Sequence, residues 1–175
     1  TLETISYLAM QEQAERTQDA LETLGSFYRI FLSKGNKEIT LENEIRITQD
    51  YLSLQKFRYE DIFTDEYDID EATQDFMVPK LILQPLVENC IYHGIKPKGE
   101  KCVIKISTKM QEDGLHILVY DAGIGMDREQ MEKIQAAERT NENRESDGFG
   151  LAGTINRIRY YCKRDDVVNI RSEKG

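Results

Sequence analysis

The spacing of hydrophobic residues divides the chain into a helical first third and a mixed region after it. Up to about residue 34, apolar residues recur every three or four positions, as on one helix face, although 11–19 is polar. A turn at 34–37 and an N-cap at Thr40 predict a second helix, with Glu42 and Glu44 in its first turn.

The apolar residues of the second helix form two stripes, which together are too wide for one partner helix. One stripe contains Leu41, Ile45, Thr48 and Leu52, and the other contains Ile47, Tyr51 and Leu54. This width favours a helical hairpin that pairs with a second copy as a four-helix bundle. A hairpin that packs only on its own domain is the alternative.

After about residue 61 the pattern alternates between strands and helices, which predicts an α+β fold. The predicted strands are 62–69, 102–110, 115–121 and a final one at 167–172, and QEDG between the middle two predicts a hairpin. The predicted helices run from Pro79 to Gly94 with a bend at Pro85, over 127–138, and over 149–162. The charged stretch 139–148 is expected to be a mobile loop.

Composition excludes several classes of function. A chain of 175 residues that is 39% hydrophobic can bury a core as one domain or as a domain with an appendage. A net charge of −9 without a basic cluster argues against nucleic acid as the main partner. Three cysteines without CxxC spacing fit a reducing, cytosolic setting without zinc or disulfides. No apolar run reaches the roughly 18 residues of a membrane span, so this chain is expected to be soluble even if it is tethered elsewhere.

The motif GFGLAG at 148–153 matches the GxGxxG fingerprint of dinucleotide-binding folds. That fingerprint should directly follow a buried strand, and the preceding AERTNENRESD cannot form one. An NAD site is therefore not predicted. Gly148 and Gly150 could still let backbone N–H groups at the start of the 149–162 helix approach a phosphate; alternatively, they merely end a flexible loop.

Two further polar elements could belong to the same site. In DAGIGMD, Gly123 and Gly125 permit close approach of a flat ligand, and Asp121 at the strand end can accept from an exocyclic amine such as adenine N6. In ENCIYH, Asn89 offers a carbonyl oxygen to Mg²⁺, and His93 shares its helix face at i+4 as a possible phosphate donor. Alone, the DxGxG pattern is equally compatible with a plain turn, and a single Asn and a single His on a helix are more often structural polar residues than ligands.

The order of these elements resembles the GHKL ATPase superfamily of sensor histidine kinases, gyrase-type topoisomerases, Hsp90 chaperones and MutL proteins. More narrowly, LILQPLVENCIYHGI, DAGIGMD and GFGLAGTINRI are similar to the N, G1 and G2 boxes of LytS/YesM-type sensor histidine kinases. ITLENEIRITQDYLSLQKFRY is similar to the helix that precedes the catalytic domain in that family. The resemblance implies a helical hairpin at 1–60, a remnant of the dimerisation and phosphoacceptor region, and a Bergerat-type α/β sandwich with a mixed sheet at 61–175.

The resemblance also implies the roles of individual residues. Asn89 would bind Mg²⁺, Glu88 would be available as an acid or base, and residues 127–147 would form a lid over ATP. The ATP-contacting residues would be Asn89, His93, Asp121, Gly123, Gly125, Met126, Gly148, Phe149, Gly150 and Leu151. The implied reaction moves the γ-phosphoryl group to a histidine and then to a response regulator, mainly by positioning and charge neutralisation.

Several positions depart from the family pattern. Ala122 and Gly153 stand where the family usually has Asn, and Pro85 stands where gyrase-like ATPases carry a carboxylate that activates water. The phosphoacceptor histidine is expected upstream of Thr1, and His116 is expected to be structural. The expected parent is a dimeric, membrane-anchored sensor with this chain in the cytoplasm. The alternatives are an ATPase that hydrolyses ATP and a degenerate, non-catalytic dimeric scaffold.

Overall fold

The computed structural model describes residues 2–10, 14–31, 37–59, 62–132 and 150–174. The helices are α1 Leu2–Met10, α2 Ala14–Phe31, α3 Leu41–Arg58, α4 Gln84–Asn89, α5 Lys96–Lys98 and α6 Leu151–Cys162. The strands are β1 Glu38–Thr40, β2 Phe63–Ile69, β3 Met77–Pro79, β4 Cys102–Gln111 and β5 Gly114–Asp121. The predicted α+β class is confirmed.

Helix α3 begins where the sequence predicted, because Thr40 caps it. The Thr40 hydroxyl accepts from the Asn43 backbone N–H, at 3.3 Å. Both apolar stripes of α3 are buried inside this chain: Leu41 and Ile45 of the first stripe belong to one core cluster, and Ile47 and Tyr51 of the second belong to another. The width of the apolar surface therefore does not require a second copy of the chain.

The main sheet has the order β2-β4-β5 and is mixed. β2 runs parallel to β4, and β4 pairs antiparallel with β5 through a two-residue turn between Gln111 and Gly114. Alternate residues of β4, including Ile104 and Ile106, are fully buried in the main core cluster, whereas the intervening residues are more exposed. β1 and β3 form a separate antiparallel pair that the sequence pattern did not predict.

The predicted strand at 167–172 is wrong. This segment forms no ladder with any described strand, although an apolar pattern of this length is compatible with one. Within the described ranges, no helix is long and apolar enough to cross a membrane.

The predicted helix from Pro79 is also wrong at its start. Pro79 ends β3, Leu81 has a left-handed backbone with φ 60°, and helix α4 begins only at Gln84. Pro85 therefore lies in the first turn, where its missing N–H is no loss, and it does not bend the helix. The helix continues through a π-helical segment, Cys90–Ile95, into α5.

Residues 128–132 of the predicted 127–138 helix are helical, and residues 133–138 lie outside the described residues. The charged loop at 139–148 and most of the expected lid lie outside the described residues.

Candidate functional site

Asp121, at the end of β5, packs directly against the π-helical segment. A Cβ atom built on Gly94 would lie 2.5 Å from Asp121 Oδ1, and one built on Gly123 would lie 2.5 Å from the same oxygen and from the Gly94 backbone. The Gly123 N–H donates to Asp121 Oδ1 at 2.9 Å, and the Ile124 N–H donates to the Gly94 carbonyl at 3.0 Å. Glycine is required at both positions because any side chain would displace the carboxylate.

The thiol of Cys90 is a further neighbour of Asp121 that the sequence did not indicate. Cys90 is buried one turn before Gly94, and its side chain hydrogen-bonds to the Asp121 carboxylate. Burial, followed by the negative charge of Asp121, raises the pKa of Cys90 far above its ordinary value. The thiol therefore stays protonated and remains a donor to Asp121.

Asn89 and His93, the predicted Mg²⁺ and phosphate contacts, both belong to this helical stretch and are not buried. Asn89 is partly exposed at the end of α4, and His93 is exposed in the π-helical segment. A π-helical turn widens the helix locally and is frequent at functional sites. Among the described residues, no group of three or more His, Cys, Asp or Glu side chains could hold a metal ion. An Asn that shares Mg²⁺ with waters and phosphates, the arrangement predicted for Asn89, needs no such group.

Glu88 is held by two side chains. Gln84 Nε2 donates to Glu88 Oε1 at 2.9 Å, and the Tyr51 hydroxyl of α3 hydrogen-bonds to both Glu88 and Tyr92. Burial, followed by the charge of Glu88, raises the pKa of Tyr51 well above its ordinary value, so the phenol stays protonated. Glu88 is thus tied to α3 as well as to its own helix.

The residues predicted to contact the phosphates of the nucleotide, 148–151, are described only in part. Gly150 is the N-cap residue of α6, has an extended backbone and accepts the first intrahelical bond from the Thr154 N–H at 3.0 Å. Leu151 is the first residue of α6, which packs on α4. Gly148 and Phe149 lie outside the described residues. Helix α6 begins at Leu151, two residues after the predicted start at 149.

A buried carboxylate, Glu44, fixes the entry to α4. Glu44 is fully buried, and its Oε1 accepts from the N–H groups of Ile82 at 2.6 Å and Leu83 at 2.8 Å, while Oε2 accepts from Leu81 at 2.8 Å. Arg157 of α6 donates to the carbonyls of Lys80 and Leu81 from the other side. The residues that precede α4 are therefore held between α3 and α6.

Sequence reasoning placed Glu44 only as a first-turn acid that favours the helix dipole, and no local pattern could reveal its partners. They lie 37 to 39 residues away in sequence. His116, which was expected to be structural, pairs its ring Nε2 with Asp113 at 2.7 Å in the exposed hairpin.

Two family models match the chain. One, described as histidine kinase-, DNA gyrase B-, and HSP90-like ATPase, matches residues 75–171, which is more than half of the chain. The chain belongs to this ATPase family. The second model, described as histidine kinase, matches residues 1–63 of this ATPase-family chain.

Sensor histidine kinases are among the relatives of this ATPase-family chain. The sensor histidine kinase YesM of Bacillus subtilis is 35% identical over 127 residues, which are 73% of this chain and 22% of YesM. The sensor protein LytS of Staphylococcus epidermidis is 36% identical over 175 residues, 99% of this chain and 29% of LytS. The chain therefore spans less than a third of the length of these curated relatives. The resemblance to LytS/YesM-type kinases is confirmed.

Proposed function

We propose that this chain is the ATP-binding and kinase domain of a two-component sensor histidine kinase. In this function the γ-phosphoryl group of ATP passes to a histidine outside this chain and then to a response regulator. Membership of the ATPase family supports ATP binding, and the relatives named as sensor histidine kinases support phosphotransfer as its use.

The observation that carries the proposal is the contact between Asp121 and the two glycines. Gly94 and Gly123 leave no room for a Cβ beside Asp121 Oδ1, and the Gly123 N–H fixes that oxygen. A partly exposed carboxylate held in this way suits recognition of an exocyclic amine, because its acceptor is oriented before the ligand arrives. Adenine N6 is the amine we assign to it.

We further propose that Asn89 binds Mg²⁺ together with the phosphates of the nucleotide. A bound Mg²⁺ would neutralise phosphate charge and align the γ-phosphoryl group. His93 and the backbone at Gly148, Phe149, Gly150 and Leu151 would contact the phosphates, and Gly125 and Met126 would complete the adenine side.

Glu88 is the proposed acid or base of the phosphotransfer. It adjoins Asn89, and its bonds to Gln84 and Tyr51 limit the orientations that its carboxylate can adopt. Pro85 supplies no carboxylate that could activate water, which favours transfer to a protein acceptor over hydrolysis. We also propose that the functional unit is a dimer formed through the 1–60 hairpin and anchored by membrane segments outside this chain.

Calorimetric titration with a non-hydrolysable ATP analogue, with and without Mg²⁺, tests the binding step. We expect micromolar-range binding, on the order of −8 kcal/mol, that tightens with Mg²⁺. Asp121→Asn should weaken binding at least about tenfold, because an amide must present its oxygen and turn its NH₂ away from the Gly123 N–H.

Asp113→Asn, which changes an exposed hairpin carboxylate, is the matched control and should bind like wild type. No binding by wild type would reject the kinase function and favour a non-catalytic scaffold, in which Ala122 and Gly153 have disabled the site. Equal affinity for wild type and Asp121→Asn would reject the adenine assignment alone.

A further inference from the structure

The loop that follows Asp121 rests on the end of the described chain. We call residues 122–127 the glycine loop and residues 172–174 the C-terminal segment. The Met126 N–H donates to Ser172 Oγ at 2.7 Å, and a Cβ on Gly125 would overlap the Glu173 carbonyl oxygen. The two segments are therefore in direct contact. The sequence pattern, which predicted a strand at 167–172, did not predict this contact.

Backbone N–H groups of three alternate residues tie the glycine loop to distant parts of the chain. The Ala122 N–H donates to the Val103 carbonyl at 3.1 Å, and the Ile124 N–H donates to the Gly94 carbonyl at 3.0 Å. Met126 provides the third bond, which differs from the other two because its acceptor is a side chain. Substitution of Ser172 can therefore remove this one bond without touching the other two.

The bond to Ser172 follows the most deformable residue of the loop. Gly125 has a φ of 66°, in the left-handed region, and glycine populates both signs of φ readily. An unanchored Met126 would let the loop move about Gly125, so that the loop would have to be ordered again when a ligand binds. Ordering before binding preserves affinity and selectivity.

We propose that Ser172 is a positioning residue for the adenine side of the nucleotide site. Its hydroxyl fixes Met126 and thereby the shape of the glycine loop against the base. This inference rests on the proposed function, in which the glycine loop contacts an adenine nucleotide.

The first experiment measures the contact without nucleotide, by amide hydrogen exchange of this chain. In wild type the Met126 amide should exchange slowly, and in Ser172→Ala it should exchange at least about threefold faster, as loss of one neutral hydrogen bond implies. Ser172→Thr keeps a hydroxyl and should restore protection. Glu173→Ala, which removes an exposed side chain but keeps the backbone carbonyl, is the matched control.

The second experiment measures the affinities of non-hydrolysable ATP and GTP analogues for the same variants. Ser172→Ala should lower the preference for adenine by roughly threefold to tenfold, whereas Ser172→Thr and Glu173→Ala should retain it. A general loss of stability would weaken both analogues equally, so the ratio of affinities separates positioning from a merely structural role.

The outcomes distinguish the two proposals. Unchanged exchange at Met126 in Ser172→Ala would refute the contact, and faster exchange with an unchanged affinity ratio would refute the positioning role. If wild type binds neither analogue, the proposed function fails and the positioning role fails with it. The exchange experiment would then still report whether Ser172 holds the glycine loop.

Discussion

Replacement of Glu44 by alanine should destabilise the chain more than almost any other single change in α3. The substitution leaves the N–H groups of Leu81, Ile82 and Leu83 without their acceptor, and all three bonds are 2.6 to 2.8 Å long. An unpaired buried donor costs about 1–3 kcal/mol, but removal of a buried charge recovers part of its desolvation penalty. We therefore expect a loss of about 3–5 kcal/mol in the free energy of unfolding.

The conservative variant Glu44→Gln should fall between wild type and alanine. Its amide oxygen can still accept from Ile82 and Leu83, but its NH₂ would face the N–H of Leu81, so that two donors oppose each other. This single conflict corresponds to about 1–3 kcal/mol. Glu42→Ala is the matched control, because Glu42 is an exposed acid in the same helical turn and should change stability by about 1 kcal/mol or less.

Urea denaturation followed by far-UV circular dichroism measures these differences. The midpoint should fall in the order wild type, Glu44→Gln, Glu44→Ala, with little change in the slope with denaturant. A loss below about 1 kcal/mol for Glu44→Ala would refute the reasoning, since the three N–H groups would then have found other partners.

Three further predictions follow from burial and packing. Burial raises the pKa of Glu44 above its ordinary 4.5, against the opposing effects of its backbone N–H donors and Arg157. Because the folded state then holds the proton more tightly, the stability advantage of wild type over Glu44→Gln should be full below pH 4.5 and shrink as the pH rises through the folded pKa. Denaturation midpoints of both proteins across that pH range would test this. Gly94→Ala should abolish binding of the ATP analogue in calorimetry, because its Cβ would displace Asp121, and retained affinity would disprove the packing argument. Exposed Cys162 should react quickly with a thiol reagent, whereas buried Cys90, whose pKa is raised by burial and by Asp121, should react only after unfolding. Labelling followed by mass spectrometry gives the order of reaction, and the opposite order would contradict this prediction.

Local patterns determined most of the secondary structure. Thr40 caps α3, the alternation in β4 matches its buried and more exposed faces, and QEDG contains the two-residue turn between β4 and β5. These features depend on residues close together in sequence, where propensity and periodicity act directly. The sequence also predicted that Asp121, Gly123 and the Asn89 helix belong to one site, but only because their order resembles a known family.

Contacts between distant residues were decided by the tertiary structure alone. Glu44 accepts from N–H groups 37 to 39 residues away. Helix α4 begins after the residues that Glu44 binds, at Gln84 rather than at the predicted Pro79. The same holds for Ser172, whose contact with Met126 spans 46 residues. A local pattern can indicate that a carboxylate lies in a helix, but the N–H groups that it satisfies are fixed only when the chain folds, because buried donors must find acceptors wherever packing places them.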